Sequence, residues 1–331
     1  MRRVLVSAGL VLALALSPLE VARGQLEPGA PASVVGDGSG AYLEAAPAQL
    51  LGGLGRATAE LDVFPTRPSL EEVKGGALRR RLLELRLLMD FNAYAYEPEL
   101  MQTFRDAVDD AYESIGFYKD AWETQALLGE ELPPDVVNQR LVKMIVALAP
   151  LRSSEVRDSM AAFFAAPAAS PSALKAGQLP RLWALAAAGP DEAYDSVGNL
   201  ALVGQRVLRN LASQGLVIGD IFDVEQEARF HDIRKAIRSV LVLDELFPAT
   251  RDGAADLRPP LARLVSVYGD VNDRVVAYHA AQSVGRGVDE RANDLATTFA
   301  DALDQQRQLL DDGSIDRLIE RLEAIQRAHR R

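Results

Sequence analysis

"RFHDIRKAIRSVLVLDELF", residues 229–247, is the stretch from which the fold is read. Phe230, Ile233, Ile237 and Leu241 recur at helical spacing and form an apolar stripe. His231, Arg234, Lys235 and Arg238 stand at i, i+3, i+4 and i+7, on a second face about 100° wide beside that stripe. The spacing predicts an amphipathic helix that buries one flank and presents a cationic one. The chain around it is acidic, with 36 Lys and Arg against 47 Asp and Glu and a net charge of −11. Such a field repels nucleic acid and anionic lipid at long range, so a nucleic-acid partner is not expected. Positive charge gathered at one place then has a local use.

The 331 residues suffice for one large or two modest domains with a sizeable core. Aromatic residues make up only 6%, Ala and Leu are abundant, and strand-type runs are scarce, which predicts an all-α fold. Cysteine is absent, which excludes disulfides, thiol catalysis and thiolate metal ligation. The start, "MRRVLVSAGLVLALALSPLEVARG", joins a basic end to a short apolar run, with Ala22 and Gly24 as small residues before a cut. It reads as a signal peptide over 1–24, cleaved near Gly24-Gln25, and predicts a periplasmic or secreted protein. Arg2, Arg3 and Arg23 against Glu20 give that segment +2, so the rest of a chain at −11 carries −13. No later run is long and apolar enough for a membrane span.

Residues 25–68 are rich in Gly, Pro, Ala and Ser and predict a flexible linker. From Ser69 helical patterns begin. Ser69 precedes Glu71 and Glu72 as an N-cap, and Leu78, Leu82, Leu85 and Met89 recur at spacings of four, three and four. Helices are predicted over "EPELMQTFRDAVDDAYESIGFYKDAWETQALLG", "PPDVVNQRLVKMIVALAPL" and "SSEVRDSMAAFFAAP", completing a first bundle over 69–165. Connecting helices are expected over 166–217. Four more helices, joined by "PATRDG", "GRGV" and "DDG", form a second bundle over 218–331.

The two groups resemble each other in helix order and charge placement. In each, a basic helix is followed by one carrying Gly-x-x-[Lys/Asn]-Asp. Aligning Gly116 with Gly269 lays Lys119-Asp120 over Asn272-Asp273. The expectation is an internal duplication into two antiparallel four-helix bundles.

"FHDIRKAIRSVLVLDELF" followed by "LVSVYGDVNDRVVAYHA" resembles the second half of the CHAD domain, the conserved histidine α-helical domain. That family carries a His-x-x-Arg helix with further bases, then a helix with Leu-Gly-x-x-[Arg/Asn]-Asp. His231, Arg234, Lys235 and Arg238 match the first motif; Gly269, Asn272 and Asp273 match the second. "LRRRLLELRLLMDF" followed by "IGFYKDAWETQ" looks like the other half, so the resemblance covers about 69–330. It implies two up-and-down four-helix bundles related by a pseudo-two-fold axis. It also implies a basic groove that binds inorganic polyphosphate without catalysis. The only histidines are His231, His279 and His329, so the first half has none.

Two uses of the cationic face follow. Arg79 and Arg86, seven apart in the first half, converge with the 231–238 face if the halves oppose each other. With Lys119 they make an anion site, since Arg offers paired donors to phosphate oxygens, Lys a point charge and His a proton-dependent donor. In the second use the bases are braces: Asp273 pairs with Arg234 or Arg238, with Asn272 and Asp120 as further structural partners, and the chain is a structural or protein-interaction module. Neither use needs a cofactor or a metal. No Gly-rich phosphate loop, His-Glu-x-x-His or Gly-x-Ser-x-Gly occurs, and no motif places a histidine as a base, so an enzyme is not expected.

Overall fold

A computed structural model describes residues 39–128, 134–167, 205, 208, 209, 220–246 and 258–328. The leader-like stretch 1–24 and most of the connecting segment 166–217 lie outside them. Every described residue falls in one contact unit, 37–331, and among them the secondary structure is helical, with no strand. None of the described helices is long and apolar enough to cross a membrane.

The first helices are α1 (Ser39–Val63), α2 (Leu70–Gly75), α3 (Leu78–Asn92), α4 (Pro98–Leu128), α5 (Pro134–Arg152) and α6 (Ser154–Ala165). After the connecting segment come α7 (Val224–Leu246), α8 (Arg258–Val284), α9 (Val288–Asp311) and α10 (Ser314–Ala328). The composition of 25–68 predicts a linker, yet α1 occupies 25 of those residues. Ala46, Leu50, Leu54, Ala57 and Leu61 lie on one face of it and are buried. One of its glycines serves close packing: a Cβ at Gly53 would come within 2.8 Å of Leu88 Cδ1. α1 lies against α3, α5 and α6, and so belongs to the helix packing it was expected only to precede.

Ser69 is the expected N-cap. Its side chain accepts the Glu72 N–H while the Glu72 carboxylate accepts the Ser69 N–H, a reciprocal capping box. The helix it starts ends after six residues, however, because Gly76 is extended, and α3 begins separately at Leu78. Leu78, Leu82, Leu85 and Met89 are buried as their spacing predicts. Ser153 caps α6 through the Val156 N–H, and Asp223 caps α7 by accepting from Glu225 and Gln226.

Phe230 and Ile237 of α7 are buried, with Ile233 and Leu241 packed beside them. The Phe230 ring meets Tyr268 of α8 at 4.6 Å and Phe299 of α9 at 6.0 Å. α8 lies against both α7 and α9, and α9 against α10. The turns into α9 and α10 use left-handed glycines, Gly285, Gly287 and Gly313, at the predicted joints. α3 packs on α7 and α4 on α8, bringing the two helix groups together along the pairs of helices that the sequence likeness aligns.

Candidate functional site

Between α3, α4 and α7 lies a cleft of about 120 Å³. α7 lines it with His231, Arg234, Lys235 and Arg238, α3 with Arg79, Leu83 and Arg86, and α4 with Tyr112, Glu113, Gly116, Phe117 and Asp120. The cationic face of α7 and the two arginines seven apart on α3 therefore share one cavity. α7 buries its Phe230 stripe, which turns the adjacent 231–238 face towards α3 and α4.

These cations are not neutralised alike. Arg86 Nε lies 2.7 Å from Asp109 Oδ1, although the pair is off the hydrogen-bonding direction. Asp109 also lies 3.7 Å from Arg105, which pairs with buried Asp90. Burial lifts both Asp90 and Asp109 above the usual aspartate range, against the pull of Arg105 and Arg86. No such chain reaches Arg79, Arg234, Lys235 or Arg238. Among the described residues none of the four has a carboxylate at ion-pair distance, and the Nε atoms of Arg79 and Arg234 are buried without an acceptor. Burial, and next the charge of Arg238, depress the Arg234 guanidinium below its ordinary value, with Asp273 opposing. Arg238 is depressed first by burial, and Arg79 and Arg80 add to it against Tyr112. Arginine stays protonated in proteins, so the depression registers first the burial of these charges and then like-charge repulsion, which Asp273 and Tyr112 only partly oppose.

The bases left out of the cleft act as braces. Arg80 pairs with Glu245 across to α7, and Arg80, Arg81 and Arg56 converge on the buried Glu84 at 3.2, 2.8 and 3.5 Å. Lys119, expected among the anion contacts, does not line the cleft. It pairs with Glu123 one turn on at 2.9 Å, and Lys74 shares that carboxylate. The brace expected from Asp273 to Arg234 or Arg238 is also absent as an ion pair: Asp273 is exposed and acts on Arg234 only at longer range. Asn272 of α8 meets α7 at the cleft, its Oδ1 lying 3.2 Å from His231 Nδ1. Asp120 lines the cleft, and burial lifts its carboxyl, against Lys119 and Arg79, with Glu123 and Asp273 adding to the rise. His279 pairs outside the cleft with Glu227 at 2.8 Å.

Tyr112 is the residue that sequence reasoning missed. Its ring is buried, with the Arg79 guanidinium carbon 4.9 Å from the centroid and that of Arg86 at 5.8 Å. A signal was present in the spacing: Tyr112, Gly116 and Asp120 form one row on α4 at i, i+4 and i+8. At the rim, Phe117 is 50% exposed with Arg140 over its ring at 5.2 Å.

No protein-family model, curated protein or solved structure matches the chain.

Proposed function

We propose that this protein is a polyanion-binding helical module whose ligand is inorganic polyphosphate, held in the α3–α4–α7 cleft without a chemical step. The observation that carries the reading is the set of four cations, Arg79, Arg234, Lys235 and Arg238, gathered round one cavity with no described carboxylate paired to any of them. Buried charge is costly unless compensated, and phosphate oxygens are the compensation that guanidinium forks fit best. The brace reading of the same residues loses weight, since bracing falls to Arg80, Arg81 and Arg56.

The choice of polyphosphate over another polyanion comes from the likeness to the CHAD domain. Two features favour that likeness: α3 packs on α7 and α4 on α8, and Asp120 and Asp273, equivalent in the internal alignment, sense each other's charge. A pseudo-two-fold axis between the halves accounts for both. Export belongs to the reading through the leader-like 1–24 alone. Calorimetric titration with long-chain polyphosphate at low and at physiological salt tests it. Tight binding that weakens with salt is expected, and no binding at either salt overturns it.

A further inference from the structure

Arg79 lies along the row Tyr112, Gly116, Asp120. Its guanidinium carbon stands over the Tyr112 ring, and its head rests where Gly116 has no side chain. A Cβ at Gly116 would come within 2.7 Å of Arg79 Nη2, 3.2 Å of Cζ and 3.4 Å of Nε. No real Cβ tolerates the first of these distances. α4 is a continuous helix of 31 residues through this point, so the arginine head, at the end of a flexible stem, is what would move. Gly116 carries no left-handed φ and no turn, and mid-helix glycine weakens a helix relative to alanine. Its helical cost is offset by the seat it leaves for the guanidinium. Gly269, its aligned counterpart, has nothing within 4 Å of its Cβ direction, so the seat exists in one half only.

We infer that Gly116 is a positioning residue, which with Tyr112 lays the Arg79 guanidinium flat on α4 and aims it across the cleft at the phosphate held by Arg234 and Arg238. This rests on the polyanion reading for its use, though not for its geometry. A preset arginine meets a planar pair of phosphate oxygens with little loss of side-chain freedom, whereas a displaced one keeps its charge but not its aim.

The test is a double-mutant cycle of Gly116→Ala and Arg79→Ala, read by melting temperature without ligand and by affinity for inorganic tripolyphosphate. In the Arg79→Ala background, Gly116→Ala is expected to raise the melting temperature by about 2 °C, the ordinary gain of alanine over glycine in a helix. With Arg79 present the gain shrinks or reverses. Each single variant is expected to lose about tenfold in tripolyphosphate affinity, and the double variant no more than either. Equal melting shifts in both backgrounds, or affinity losses that add, overturn the positioning role. Failure of the unsubstituted protein to bind tripolyphosphate overturns the proposed function instead, and the melting cycle then decides the role of Gly116.

Discussion

Replacing Arg234 and Arg238 together by glutamine removes two of the four unpaired cations while keeping most of each stem. Contacts between cations and a phosphate chain release counterions, about 0.7 per phosphate neutralised on a single strand. Four contacts give a slope of log affinity against log salt of about −2.8, and two give about −1.4. From 50 to 200 mM salt the intact protein should then lose about 50-fold in affinity for long-chain polyphosphate and the variant about 7-fold. At the lower salt the variant should bind about 100-fold more weakly, taking about 1.5 kcal/mol for each charge-assisted hydrogen bond. Titration calorimetry at the two salts reads all of these. Stability should move the other way from affinity. Burial and mutual repulsion oppose Arg234 and Arg238 in the unliganded fold, so the variant should melt at the same temperature as the parent or higher. A variant with the parent's salt slope, or one that melts several degrees lower with affinity intact, refutes the reasoning and makes the two arginines braces.

Other perturbations separate the cleft from its frame. Asp120→Asn takes a negative charge from the lining and should tighten polyphosphate binding a few-fold. Because the folded carboxyl is raised above 3.8, its contribution to stability is complete below that value and lost as pH rises through the folded value. The asparagine variant should therefore out-melt the parent at pH 7, with the gap closing as pH falls towards 3.8, as thermal melts across that range would read. Glu84→Gln removes the carboxylate on which Arg56, Arg80 and Arg81 converge and should cost about 1–3 kcal/mol in denaturant unfolding. It should leave the salt slope unchanged. Gly53→Val should cost about 1–3 kcal/mol through overpacking against Leu88, while Gly55→Val, facing open space, should cost less; equal losses would detach α1 from the core.

The features legible in the sequence were those a single helix carries by itself. The apolar stripe and the basic face of 229–247 are fixed by the helical repeat, and α7 buries Phe230 and Ile237 with Ile233 and Leu241 partly buried beside them. Spacing also singles out Arg79 and Arg86, but not their different fates. That depends on which acids α4 brings near: Asp109 takes Arg86 and none takes Arg79. Lys119 was misplaced for a similar reason. Its charge alone suggests a place in the site, whereas its position on α4 turns it to Glu123. Tyr112 went unnoticed because a buried tyrosine on a helix reads as core until something cationic lies over its face. α1 was hidden by composition, since Gly, Ala and Pro signal a linker except where the absence of side chains lets two helices approach closely, as Gly53 does against Leu88.

Whether Arg79, Arg234, Lys235 and Arg238 hold one polyanion between them is tested most directly by a crystal structure with bound tripolyphosphate. Phosphate oxygens within hydrogen-bonding distance of at least three of those four side chains, with Arg79 still lying on Gly116, are the predicted result. Tripolyphosphate bound on other residues, with this cleft filled by water alone, would contradict it.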